Sequence, residues 1–254
     1  STSPNPLDFT GTTGMVTLLS LSGAGVSSFD NHATILGGIA SGTVSIGGLL
    51  TSAISGGTVS AASLTATSVT GGSTTVAGDA SIGVMSAGTA NLNGATAAIN
   101  TLNGGTINLG ATTLTVSAGT SAGTITGASG NLIKDSVGTL TLTHANSFGG
   151  TLLVSGGTLA ATVTGALGSV TAISVQGAAL NTVDYNPAAT LSLDATATAI
   201  ISGSNLILGA VINGNSLTAE ALDFTGTTGT VTLLSLSGAG VSSFDNHATI
   251  LGGI

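Results

Sequence analysis

The sequence predicts an all-β fold in which short strands wind into a parallel β-solenoid. Three observations carry that prediction. Charged residues are only 4% of the 254 and aromatics 2%, with no Trp, against a usual charged share of about a quarter. Short runs of alternating Val, Leu, Ile and Thr are bounded by Gly-containing pairs. Finally, residues 223–254 repeat residues 8–39 with one change, Thr230 where Met15 stood, at an offset of 223 − 8 = 215.

Mean hydropathy of +0.63 opposes disorder, which requires low hydrophobicity and high charge. With five Phe and one Tyr, the chain lacks the large side chains that fill the thick interior of a sandwich or a mixed α/β domain. A thin core of small and β-branched residues, with Gly or Asn at the corners, suits stacked coils.

Period-two alternation marks strands at Val16 to Leu21, Thr139 to Thr143, Thr151 to Val154, Thr162 to Thr164, Leu191 to Leu193 and Leu206 to Leu208. Between and beyond them a Gly-Thr-apolar cassette recurs, starting at Gly42, Gly57, Gly105, Gly123, Gly138, Gly150 and Gly157. The starts differ by 15, 48, 18, 15, 12 and 7 residues, which implies two or three strands per coil and loops of unequal size. Gly or a β-branched residue interrupts every potential helix. Pro4, Pro6 and Pro187 are the only prolines, so the backbone keeps the donors that ladders need.

The duplication organises the whole. It predicts one continuous solenoid over 1–254, with 8–222 as one 215-residue unit and 223–254 as the start of the next, a section of a longer tandem array. No secretory signal stands at Ser1, and a section from within an array would carry none. At roughly 20 residues per coil and about 4.8 Å per layer, one unit would advance on the order of 50 Å. Both copies should then adopt the same backbone, one axial repeat apart.

Residues 130–160 carry a more specific pattern: Lys134, then Gly138-Thr139-Leu140 with Leu142, Asn146 and Phe148, Gly149-Gly150-Thr151, and Gly157-Thr158-Leu159. Their order and spacing resemble the autotransporter-associated β-strand repeat of the passenger regions of bacterial type V secreted proteins. The departures are Asp135 and His144, and the resemblance covers about an eighth of the chain. It implies a right-handed parallel β-helix on an extracellular bacterial surface, in adhesins, stalks or surface-layer components. It transfers no catalytic residue.

A net charge of −8 with one Lys and no Arg disfavours nucleic acid and gives no polybasic patch for a membrane. No run of about eighteen apolar residues predicts membrane insertion, and Tyr185 alone cannot form the aromatic girdles of a membrane barrel. Without Cys there are neither disulfides nor thiolate metal sites. The calcium β-roll series of Gly-Gly-x-Gly-x-Asp is missing. No cofactor or metal is expected.

Glycan cleavage on a β-helix would need converging carboxylates, or for a lyase a basic group; the nine acids include two sites counted twice, and one Lys serves the whole chain. Asp30-Asn31-His32, copied as Asp245-Asn246-His247, is the densest polar cluster, read either as a metal- or pH-sensitive contact or as a solvated turn. His144 is placed in a strand-like run, pointing out beside Lys134 or Asn146. Leu18, Leu19 and Phe29, with Leu233, Leu234 and Phe244, mark an apolar spot in each copy. Together with Asp30, His32, Asp245 and His247 they are the candidate contacts between chains or repeats.

The function expected is structural and non-catalytic: part of an extracellular bacterial surface fibre, stalk or adhesin shaft. Its partners would be itself, through covalent tandem repeats or homo-assembly, and host or environmental surfaces. The alternatives are an ice-binding solenoid with outward Thr-x-Thr ranks and, less favoured, a glycan-cleaving enzyme.

Overall fold

A computed structural model describes residues 7–185, 189–203, 206–214, 221–245 and 247–252, apart from the side chain of Asn31. Its twenty-four strands among these residues form an all-β parallel solenoid of about 13 turns. Each turn visits three faces in a fixed order. In one turn, for example, residues 43–46 lie on the first face, 48–51 on the second and 53–54 on the third, and all three pair with the coil that follows.

Inward and outward residues alternate along each face, so apolar side chains stack in rows through the core. The row that begins at Val16 runs without a break through Ala33, Leu49, Leu64, Ala80, Ala97, Leu114, Leu132, Leu152, Ile173, Leu191 and Val211 to Leu236. From Ala33 to Val211 every member is buried. Burial of such a row, at about 25 cal/mol per Å² of apolar surface, is what holds one coil on the next.

Coil length varies along the chain. Partners on successive coils are 15 residues apart at Thr43↔Thr58, 17 at Ala80↔Ala97, 21 at Thr151↔Ala172 and 25 at Ile207↔Thr232. Extra residues go into the corners, which leaves the ladders in register. This explains why the Gly-Thr-apolar cassette has no constant period. Its glycines turn corners: Gly57 has φ +74°, and a Cβ there would lie 2.4 Å from the carbonyl oxygen of Gly42.

The strand expectations hold at Val16–Leu18, Thr139–Leu142, Thr151–Val154, Thr190–Leu193 and Ile207–Asn213. Thr162 to Thr164 is instead a bend and turn, because the chain leaves the third face after Ala161. Longest of all are Thr43–Ile54, Thr58–Val76 and Ala80–Leu92. Ser, Ala and Gly at their bends let the ladder continue around corners, and so hide the alternation from a simple pattern search.

The two copies of the duplicated segment repeat their local pairing. Phe9 pairs with Phe29 and Phe224 with Phe244, with rings stacked at 5.0 and 4.9 Å. Val16–Leu18 pairs with 33–35, and 231–233 with 248–250. Their placement around the axis differs. After its twelve steps the Val16 row arrives at Leu236, the copy of Leu21. Val231, the copy of Val16, sits one face earlier, on the ladder where Thr232 pairs with Ile207. The 215-residue offset between the copies therefore spans 12 − 1/3, or about 11⅔, turns, so pure translation along the axis does not superpose them.

Candidate functional site

The eight described carboxylates are all hydrogen-bonded, most of them at or beside corners. Five of them tie one coil to another: Asp30 accepts from the Gly11 amide at 2.6 Å, Asp79 from the Thr96 hydroxyl at 2.9 Å, and Asp135 from the Ser117 hydroxyl at 3.0 Å. Asp184 accepts from the Gly165 amide at 2.8 Å, and Asp245 from the Gly226 amide at 2.9 Å. Asp8, Asp194 and Asp223 close local turns by accepting from Thr10, Thr196 and Thr225. Glu220 lies outside the described residues.

Two of these carboxyls are held below the usual carboxylate range. At Asp8 the cause is the Thr10 hydroxyl, helped by its amide. At Asp194 burial pushes upward, but the amides of Thr196, Gly177 and Ala197 and the Thr196 hydroxyl outweigh it.

Lys134 is the single Lys or Arg, and its side chain is fully buried. It occupies an inward place between Val116 and Val154, not the outward one beside His144. Its ammonium donates to the carbonyls of Asp135, of Ser136 at 2.8 Å and of Gly156 at 2.8 Å. Ser136, with φ +63°, is the one described non-glycine residue in left-handed backbone. Lys134 thus ties this corner to the next coil. Burial lowers its pKa, against the attraction of Asp135. His144 lies in a bend, 3.3 Å from the Thr143 hydroxyl, and the Asn146 amide donates to its carbonyl at 3.2 Å.

Asn146 and Asn131 act as staples. The Asn146 side chain accepts from the Ile125 amide at 2.8 Å and donates to the Ala166 carbonyl at 2.6 Å, spanning three coils. Asn131 does the same between Thr113, at 3.2 Å, and the Thr151 amide, at 2.8 Å. Phe148 fills the core below them with no exposure.

Lys134, Asn146 and Phe148 belong to one recognisable segment. Residues 132–161 match the family model of the passenger-associated transport repeat. The roles of Lys134, Asn146 and Phe148 within this repeat are structural in the geometry above. Neither the curated proteins nor the solved structures gave a match. The passenger-associated transport repeat and the parallel solenoid together fit an autotransporter passenger, and that family implies secretion to the bacterial surface.

The candidate contact residues divide by burial. Phe29 and Leu233 are core, while Leu18 and Phe244 are partly buried against it. Leu19 is 79% exposed and Leu234 51%. Asp30, His32, Asp245 and His247 are all exposed. Asp30 lies within, and His32 at the end of, a register shift at the corner between the first and second faces, where the His32 ring lies across Gly48. Asn246 lies outside the described residues. No group of three or more His, Cys, Asp or Glu that could hold a metal occurs among the described residues.

Surface depressions carry little ionisable chemistry. A shallow groove of about 350 Å³ is lined by 151–153, 172–174, Gln176, Thr190 and Ser192, and another of about 240 Å³ has His32 as its one ionisable residue.

Regular outward ranks are present, although the Thr-x-Thr units in the sequence have no constant period. On the first face Thr43, Thr58, Ser73, Thr89, Thr106 and Thr124 stand on six successive coils. Beside them runs Ser45, Ser60, Thr75, Asn91, Asn108 and Thr126. Thr124 and Thr126 are a Thr-x-Thr unit that belongs to these ranks. Ser73 and Thr89 follow Gly72 and Gly88, whose φ values of +73° and +84° match that of Gly57. Reading Gly-Ser and Gly-Thr-Ala as variants of the cassette would have found them.

Proposed function

We propose that this chain is a section of a stiff, non-catalytic shaft, built from 215-residue solenoid units in tandem and carried outside a bacterial cell as a stalk, filament or adhesin stem. The observation that carries this reading is the unbroken row from Val16 to Leu236, together with the return of the opening coils at Asp223. A solenoid that restarts its own sequence along an unbroken core row is a rod suited to continue. The match over 132–161 supports export as a passenger.

The engagement of the carboxylates in corner hydrogen bonds supports a structural role for them. Exposed Leu19 and Leu36, stacked on successive coils, recur as Leu234 and Leu251 and are the favoured points for contact between neighbouring shafts. The shaft and its position are tested by antibody against residues 43–126 on intact bacteria that produce the protein. Labelling without permeabilisation is expected; labelling only after lysis would refute the surface role.

A further inference from the structure

The first face between Thr43 and Thr124 has properties that a shaft does not require. Six hydroxyls stand in one rank on six adjacent coils, about 4.8 Å apart. None of the six is hydrogen-bonded through its side chain among the described residues. Five are Thr, whose branched Cβ restricts χ1 in a strand, so the hydroxyls and methyls are held in a repeating orientation.

The second rank, two residues on and therefore about 6.6 Å away, behaves differently. Asn91 donates to the Thr75 hydroxyl at 3.3 Å, Asn108 donates to Asn91 at 2.5 Å, and the Thr126 hydroxyl donates to Asn108 at 2.6 Å. This hydrogen-bonded ladder stiffens the face beside the free rank. Beneath both ranks the inward residues Val44, Val59, Thr74, Ala90, Ile107 and Ile125 are fully buried, which fixes the sheet from below.

The chemistry of this face narrows its ligand. Between residues 40 and 126 the chain has one charge, Asp79, and no aromatic residue. Anions and cations therefore have no counter-charge, and a sugar has no ring on which to stack. A rank of free hydroxyls, most with a methyl beside them, repeating at a fixed spacing next to a hydrogen-bonded rank of hydroxyls and amides, fits a ligand that is uncharged, both donor and acceptor, and itself periodic at that spacing. Crystalline water meets all three conditions.

We propose that the face presented by Thr43, Thr58, Ser73, Thr89, Thr106 and Thr124 binds the surface of ice. The free hydroxyls anchor the first water layer while the methyls between them order it, and the neighbouring hydrogen-bonded ladder holds the rank in place.

The test is incorporation of the fluorescently labelled 254-residue chain into a growing ice hemisphere, together with thermal hysteresis. The intact chain is expected to enter the ice. Thr58→Lys with Thr106→Lys should abolish entry, while Thr139→Lys with Thr158→Lys, on the third face, should leave it unchanged. Circular dichroism checks the fold of each, and Thr89→Val with Thr106→Val removes hydroxyls while keeping the branched shape, so its loss of entry isolates the hydrogen bonds. Exclusion of the intact chain from ice, or equal loss in the third-face pair, would overturn the proposal. Surface labelling of cells is indifferent to both results, so this test stands apart from that of the shaft.

Discussion

Lys134 shows how one side chain can hold two coils together. Its burial among apolar rows is offset by hydrogen bonds to the carbonyls of Asp135, Ser136 and Gly156. Lys134→Met keeps the stem but leaves those acceptors without their donor, so a loss of about 1–3 kcal/mol is expected from denaturant unfolding. The alkaline limb has its own sign. Folded Lys134 has a lowered pKa and binds a proton less readily than the unfolded chain at 10.5. Stability therefore rises as pH climbs from the folded value towards 10.5, and that rise should vanish in Lys134→Met. Asp8 and Asp194 act in the opposite range. Their folded pKa values lie below 3.8, so their contribution is complete well above 3.8 and is lost as pH falls through the folded values. Asp194→Asn should flatten part of that acid limb in a pH series of thermal melts. The sequence placed Lys134 within a family pattern, yet nothing local showed that it faces inward, since the donors and acceptors it joins are brought together only by stacking.

The coil is the element of this fold, and its corners decide where a strand may turn. At Gly57, φ of +74° and the Gly42 oxygen 2.4 Å from a would-be Cβ mean that Gly57→Ala should cost about 1–3 kcal/mol, read as a lower Tm with unchanged far-UV spectrum. The last coil supplies a second prediction. Ala33, Ile35 and Phe29 are buried under residues 43–51, whereas their copies Ala248, Ile250 and Phe244 are exposed or half-buried, with no strand over them among the described residues. Appending a second copy of residues 40–54 after Ile254 should cover them and add about 2 kcal/mol, a Tm rise of roughly 4–8 °C. An unchanged Tm would mean that the edge does not accept that coil. Parallel coils, thin core and Gly-marked corners were legible in the sequence because each rests on local residue types. The Thr rank was not, because coils of 15 to 18 residues scramble a spacing that is regular only in space.

At the scale of the molecule, the third of a turn missing from each unit has a geometric consequence. If units continue in tandem, each is set back by one face from the one before, and three units, about 35 turns, restore the register. The phase is open to cross-linking because the chain has no Cys. Ile207→Cys with Thr232→Cys, partners on adjacent coils, should form a disulfide, while Ile212→Cys with Thr232→Cys should not; the reverse would place the copies in phase. The duplication was plain in the sequence, but its phase was not, since the number of turns in 215 residues depends on corner lengths that only the fold reveals. X-ray scattering from chains of one, two and three tandem units tests whether the solenoid is a continuous rod whose length is set by counting coils. A continuous rod gives a constant cross-section and a gain of about 56 Å per unit, from 11⅔ turns at about 4.8 Å. A cross-section that changes with unit number, or an increment far from that length, would contradict it.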